Sequence, residues 1–237
     1  MQIPQEPLDV LVIAAHPDDA EIGAGGTIIS CLQQGLRVGV LDLTNGEPTP
    51  RGTVERRAAE TQAATRVLGL TWRGQLDLPN RCLQPTLEAR HHVAGVIRLL
   101  RPHVVMLHYW EDAHPDHVAA CELGEASCFW AKLTRSDLAG KPHRVQQVWY
   151  YFSIHLRQHV MPACVIDISA HFDLKMQAVG CYHSQFGEAS RDGTSVFDDL
   201  RDRARYWGWT IGVRYGEPLA SRGPVGLPGL PLMTLVR

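Results

Sequence analysis

The sequence predicts an α/β protein built on a mostly parallel sheet with helices on both faces. Segments with the pattern of strands alternate along the chain with segments with the pattern of helices, as in consecutive βαβ units. Residues 10–15 form a continuous apolar run, which is typical of a strand buried on both faces. The expected architecture is therefore Rossmann-like, in a single domain that covers residues 1–237.

Glycines and prolines mark the ends of the predicted elements. Gly35 and Gly69 follow helical segments and suit the left-handed position after a helix, while Pro85 and Pro115 suit a first helical turn. The predicted strands are residues 10–15, 37–43, 104–109, 145–152 and 164–168. The predicted helices are residues 25–34, 53–68, 85–100, 115–133, 172–185 and 197–207. Residues 217–237, rich in glycine and proline, are expected to be irregular.

The composition argues against several classes of protein. Lys and Arg number 23 against 25 Asp and Glu, so the chain lacks the basic character of a nucleic-acid-binding protein. No apolar run approaches the roughly 20 residues of a membrane span, and the N-terminus lacks the pattern of a secretory signal. The six cysteines form no CxxC pair, as expected for small buried thiols in a reducing compartment. We expect a cytoplasmic protein with neither nucleic acid nor membrane as a partner.

Two histidine motifs follow the predicted strands at residues 10–15 and 104–109, which are taken as the first and fourth strands of the expected sheet. Residues 15–19 read Ala-His-Pro-Asp-Asp, and residues 112–117 read Asp-Ala-His-Pro-Asp-His. In the common strand order 3-2-1-4 these strands are neighbours, and ligands bind beyond their carboxyl ends. The two motifs are therefore expected to meet in one crevice. Imidazole and carboxylate groups suit zinc, and three protein ligands plus water form an open, catalytic site.

Spacing alone does not assign the roles within each motif. Asp18 and Asp19 are interchangeable on this basis, and so are His114 and His117. If Pro115 is the first helical residue, His114 is the N-cap and His117 lies one turn inside the helix. Both imidazoles then project from one helix start, so that one can bind metal while the other reaches the substrate.

The two motifs together resemble those of the zinc-dependent N-acetylglucosaminyl deacetylases of the PIG-L/LmbE-like family. Further stretches similar to that family, over most of the chain, lie at residues 42–47, 52–57, 76–81, 167–169 and 183–186. Within the family, the chain most resembles the bacillithiol-pathway enzymes, which deacetylate N-acetylglucosaminyl malate. The resemblance implies a hydrolase of a small sugar conjugate, a homo-oligomer, and Zn²⁺ or another divalent metal as cofactor.

The resemblance also implies a role for each residue of the two motifs. The implied metal ligands are His16, Asp19 and His117. Asp18 would act as the general base that takes a proton from water. His114 would stabilise the oxyanion or protonate the leaving amine, and the Asp116 carboxylate would orient it, since a carboxylate behind an imidazole favours the imidazolium.

Four residues are expected to contact the substrate: Arg57, Asn45, Glu47 and His183. Arg57 matches an arginine of the family's GTxExR stretch, whereas a solvated helix arginine is the structural alternative. The loop after the second predicted strand carries both Asn45 and Glu47 beside the expected crevice, where loop capping is the alternative. His183 lies in one of the similar stretches, and a structural histidine is the alternative there.

One position departs from the bacillithiol-pathway pattern. Residue 113 is alanine, where several of those enzymes have an arginine that suits a carboxylate of malate. Arg51, Arg57 and Arg81 are candidates to replace it. The departure bears on the aglycone, the group attached to the sugar, and leaves the deacetylation chemistry unaffected.

Three other functions stay open at this point. One is an amidase or deacetylase with the same mechanism that acts on a different sugar conjugate. Another is a dinucleotide-binding oxidoreductase, although residues 23–28 read Gly-Ala-Gly-Gly-Thr-Ile and lack the third glycine of that fingerprint. The third is a non-catalytic sugar- or metal-binding protein, against which the presence of Asp18 argues.

Overall fold

The computed structural model describes residues 3–156, 160–187 and 195–226. Within these residues the strands are β1 (Val10–Ala14), β2 (Val38–Asp42), β3 (Trp72–Gln75), β4 (Val104–His108), β5 (Gln147–Tyr151), β6 (Cys164–Asp167) and β7 (Gly216–Ala220). They form one sheet in the order β3-β2-β1-β4-β5-β7-β6. The first five strands pair in parallel, whereas β7 is antiparallel to both β5 and β6. The predicted fold class and the predicted 3-2-1-4 order are confirmed.

Helices cover both faces of this sheet. They are α1 (Asp19–Gln33), α2 (Val54–Leu68), α3 (Leu87–Leu100), α4 (Pro115–Ala131), α5 (Phe172–Gly180), α6 (His183–Phe186) and α7 (Val196–Thr210). Alternate residues of β1 face opposite sides: Leu11 packs in the core with α3 and α4, and Val12 packs with α1. The continuous apolar pattern of β1 therefore reflects burial on both faces. None of the helices in the described part of the chain has the length and apolar character of a membrane span.

Helix α1 begins at Asp19, directly after the first histidine motif and earlier than the predicted start at residue 25. Its glycines lie inside the helix and allow close packing. A Cβ at Gly23 would lie 2.3 Å from Tyr151 Cδ2, and one at Gly26 would lie 2.6 Å from Ile168 Cγ2. These glycines therefore serve contacts between the helix and the rest of the fold, and they do not form the phosphate-binding turn of a dinucleotide site.

The prediction of irregular structure from residue 217 onward is wrong for the first of these residues. Gly216–Ala220 form β7, which is buried at every position between β5 and β6. Glu217 can lie there because its carboxylate accepts bonds from Lys175 Nζ at 2.6 Å and from the Gly26 N–H at 2.9 Å. Because β7 contains a glutamate and a proline, its sequence lacks the apolar pattern of a buried strand. Residues 227–237 of the predicted tail lie outside the described residues.

Candidate active site

The two histidine motifs meet at the carboxyl ends of β1 and β4, as the sequence predicts. The strands pair in parallel, so the loop after β1 and the start of α4 lie side by side. His16 and Asp116 are 100 residues apart in the sequence, yet His16 Nε2 lies 3.1 Å from Asp116 Oδ2. The motifs open into a cavity of about 1100 Å³. Motif residues that line it are His16, Asp18, Asp19, His114 and His117.

Asp19 lies between imidazoles from both motifs. Its Oδ1 is 3.2 Å from His117 Nε2, and its Oδ2 is 3.2 Å from His16 Nδ1. One nitrogen or oxygen atom from each of these three buried side chains lies within 4.8 Å of the others. Zinc binds such atoms at about 2.0–2.2 Å from a common centre, so the three groups converge closely enough to hold a divalent ion.

A second group of three, His16, His114 and Asp116, also brings ligand atoms within 4.8 Å of one another. Its donors already have partners. The Asp116 carboxylate accepts the backbone N–H of Arg81 at 2.7 Å and that of Leu83 at 3.2 Å. His114 Nδ1 accepts the backbone N–H of Asp116 at 3.2 Å. All three side chains of the group His16, Asp19 and His117 are buried, whereas His114 in the second group is half-buried, so the first group is the candidate metal site.

These contacts revise the role expected of Asp116. Its carboxylate hydrogen-bonds to His16 and to two backbone N–H groups, and among the described residues it makes no hydrogen bond to His114. The His114 ring is held instead by the backbone of Asp116, because His114 is the N-cap of α4. The expected N-cap position of His114 is confirmed. Asp116 orients the neighbouring imidazole, that of His16.

Asp18 has different surroundings from Asp19. Arg57 Nη1 donates to Asp18 Oδ2 at 2.9 Å and to the Pro17 carbonyl at 2.6 Å. Asp18 has φ of 120°, a left-handed backbone conformation that is strained for aspartate and is typical of functional sites. Burial raises the pKa of Asp18 to about 7, although Arg57 opposes the rise. A cation held by the three ligands would also oppose it.

Burial alone would raise the pKa of Asp19 as well, but His117 and His108 hold it well below its usual range. Asp19 is therefore ionised, as a metal ligand must be. The two adjacent carboxylates have opposite shifts because one faces imidazoles and the other lies in a buried position beside a single guanidinium.

Two further residues of the site were not predicted from the sequence. Asp112 Oδ2 lies 3.2 Å from His117 Nδ1, and Asp112 also accepts the Ser153 hydroxyl. Burial would raise the pKa of Asp112, but the nearby His117 imidazole and the Ser153 hydroxyl lower it to about 2. Asp112 thus orients the ring of His117 from behind, an arrangement that is common for metal-binding histidines.

His108, at the end of β4, is fully buried against Asp19. Its Nε2 lies 3.3 Å from Asp19 Oδ2 and accepts the backbone N–H of Ala15 at 3.1 Å. Burial, reinforced by His117, lowers the pKa of His108 to about 4, so this imidazole is neutral. His108 could have been identified in the sequence by its position at the carboxyl end of the fourth strand, where ligand-binding residues commonly lie.

Of the four expected substrate contacts, the structure brings Arg57 into the cavity and leaves the other three outside its lining. Glu47 accepts from Arg57 Nε at 3.4 Å, so it positions that arginine. Asn45 Oδ1 accepts the N–H of Glu47 at 2.9 Å and closes the loop turn. His183 is exposed at the start of α6.

A doubly wound α/β fold with a buried His-Asp-His group beside a second, separately held carboxylate defines a metal-hydrolase type of site. The family described as GlcNAc-PI de-N-acetylase (PIG-L) matches residues 11–128. The diacetylchitobiose deacetylase of Thermococcus kodakarensis is 35% identical over 224 residues, which cover 88% of this chain and 80% of that protein.

Solved structures show the same similarity. The conserved protein TT1542 from Thermus thermophilus is 40% identical with a TM-score of 0.85, over 93% of this chain and 97% of that one. The N,N'-diacetylchitobiose deacetylase from Pyrococcus horikoshii is 26% identical with a TM-score of 0.75, over 89% and 82% of the two chains. The chain belongs to the PIG-L family. It is an N-deacetylase, a hydrolase of the type that removes the acetyl group from N-acetylglucosamine. The family and enzyme class predicted from the sequence are confirmed.

Proposed function

We propose that the protein is a zinc-dependent deacetylase that removes the acetyl group of N-acetylglucosaminyl malate in bacillithiol biosynthesis. The main support for this chemistry is that one cavity contains a group suited to metal binding and, beside it, a separate carboxylate suited to proton transfer. His16, Asp19 and His117 converge as metal ligands, while Asp18 is held apart from them by Arg57. The names of the relatives support a small conjugate of N-acetylglucosamine as the substrate. We also propose that the protein is a homo-oligomer and that it is cytoplasmic.

Zn²⁺, when bound by these ligands, would supply Lewis-acid polarisation of the acetamide carbonyl and acidify a nearby water. Asp18 is placed to take the proton of the attacking water. Arg57 fixes one of its carboxylate oxygens, so the carboxylate is oriented to accept a proton from water and then pass it to the leaving amine. Water adds to the acetyl carbon, the C–N bond breaks, and acetate and the free amine result.

His114 is placed to donate a hydrogen bond to the carbonyl oxygen as negative charge develops on it. Because its Nδ1 accepts the Asp116 N–H, the proton of the neutral ring lies on Nε2. Burial lowers the pKa of His114, which favours the neutral form. Neutral His114 can therefore stabilise the oxyanion through this N–H, and a donor of this kind typically contributes about 3–4 kcal/mol.

The test is release of primary amine by the zinc-loaded protein, with a chelated sample as the control. The substrates are N-acetylglucosaminyl malate, N,N'-diacetylchitobiose and free N-acetylglucosamine. We expect chelator-sensitive release that is fastest from the malate conjugate. Release that is fastest from the disaccharide would overturn the malate assignment and leave the chemistry standing. No release from any of the three would overturn the proposed function.

A further inference from the structure

The cavity contains a cation that the deacetylation chemistry does not use. Arg203, on α7, lines the cavity together with His16, Asp19 and His117. Its side chain is half-buried, and within the described part of the chain its guanidinium makes no hydrogen bond and no ion pair. The cavity volume of about 1100 Å³ is slightly above the roughly 300–1,000 Å³ typical of small-molecule sites. A sugar and its aglycone can therefore occupy the cavity together.

Three other arginines with buried side chains have hydrogen-bond or ion-pair partners within the described residues. Arg57 donates to Asp18 and Glu47. Arg73 pairs with Glu21 and Asp42, and Arg98 donates to several carbonyl oxygens. Arg203 differs from all three, because the protein leaves its five N–H donors without acceptors among the described residues.

Two acidic residues influence Arg203 without pairing with it. Burial lowers the pKa of Arg203, and the charges of Asp112 and Asp199 only partly oppose this. The Asp112 carboxylate is engaged with His117, Ser153 and the His114 N–H. Asp199 lies one turn earlier on α7, at the exposed edge of the cavity. A partly desolvated guanidinium without a partner is unfavourable, and an anionic ligand group would relieve it.

Residue 113, next to His114, is alanine, so a carboxylate of the aglycone would need a cation from another part of the cavity. Arg57 is committed to the general base. Arg81 has an exposed side chain at the rim, and its backbone N–H is bound to Asp116. Arg203 combines partial burial, donors without acceptors among the described residues and a place in the cavity.

We propose that Arg203 is the specificity-determining residue that binds a carboxylate of the aglycone, so that the enzyme prefers an acidic conjugate to a neutral glycoside. The planar guanidinium can bind a carboxylate through two parallel N–H···O bonds. This inference rests on the proposed function, since it concerns the substrate of the same site.

The test compares Arg203→Met and Arg203→Lys with the matched control Arg205→Met, an exposed arginine of α7 outside the cavity lining. The quantity is the ratio of kcat/KM for N-acetylglucosaminyl malate to kcat/KM for N,N'-diacetylchitobiose. Arg203→Met should lower this ratio roughly 10- to 100-fold, chiefly through KM for the malate conjugate. Arg203→Lys should lower it less, because lysine keeps the charge and loses the planar fork.

An unchanged ratio, or an equal loss on both substrates, would overturn the role of Arg203. Calorimetric binding of the malate conjugate to zinc-loaded Asp18→Asn protein, with and without Arg203→Met, reads the contact without turnover. The dissociation constant should rise about tenfold or more. If the wild type releases no amine from any acetylated sugar, the proposed function fails, and the calorimetric comparison still decides whether Arg203 binds the carboxylate.

Discussion

At the residue scale, the two adjacent aspartates of the first motif are distinguished only by what surrounds them. Asp19 faces His16, His117 and His108, whereas the Asp18 carboxylate is paired with Arg57. Spacing in the sequence could not assign the ligand and base roles, because the two aspartates are consecutive residues after His16-Pro17. Their contacts favour Asp19 as the ligand and Asp18 as the base, in agreement with the roles that the resemblance implies.

Replacing Asp18 by asparagine should leave zinc bound and reduce kcat about 10²- to 10⁴-fold, since the amide cannot accept the proton of water. Metal analysis and steady-state rates on the same sample give both quantities. Asp19→Asn is the matched comparison and should lose zinc. If Asp18→Asn protein lost its zinc while Asp19→Asn kept it, the two roles would have to be exchanged.

Asp112 was not predicted because its function depends on a partner that only the folded chain supplies. Its carboxylate lies against His117 Nδ1, on the far side of the ring from Asp19. His108 was missed for the same reason, since a lone histidine at a strand end has no motif around it. The two histidine motifs can be recognised in the sequence, but the groups that orient their side chains are defined by contact.

Asp112→Asn should therefore weaken zinc binding about 10- to 100-fold, because the ring of His117 loses the carboxylate that orients it. Competition with a chromogenic chelator measures the affinity. The control is Asp173→Asn, an exposed carboxylate in the first turn of α5. Equal zinc affinity in the two variants would remove Asp112 from the metal site.

At the element scale, the sequence predicted the segments with a clear apolar or helical pattern and missed two strands that lack one. β3 covers four residues that read Trp-Arg-Gly-Gln, and β7 contains glutamate and proline, so neither shows an apolar run. Both depend on tertiary partners: β3 pairs along β2, and β7 is joined to α1 and α5 through Glu217. The predicted helix over 172–185 divides into α5 and α6.

Glu217→Gln should lower the free energy of unfolding by about 3–5 kcal/mol, because it leaves Lys175 charged and buried without its carboxylate. Urea denaturation provides the measurement. Glu6→Gln, which removes an exposed partner of Arg37, is the control and should change stability little. A Glu217→Gln protein as stable as the control would show that the buried pair does not hold β7 in place.

At the scale of the whole molecule, the sheet topology creates the site. The parallel pairing of β1 with β4 brings His16 against Asp116 across 100 residues of sequence. This part of the site could be predicted, because parallel sheets bind ligands where the strand order reverses. The proposed contact of Arg203 with the aglycone could not be predicted, since Arg203 lies on α7 and has no sequence motif around it.

We propose that one metal ion, held by His16, Asp19 and His117, is required for hydrolysis of the acetamide. A zinc titration of the chelator-treated protein that follows bound metal and acetate release together tests this requirement. We expect both quantities to rise in parallel and to reach a plateau at about one ion per chain. Full activity in protein without divalent metal, or activity that appears only after a first ion has bound silently, would contradict it.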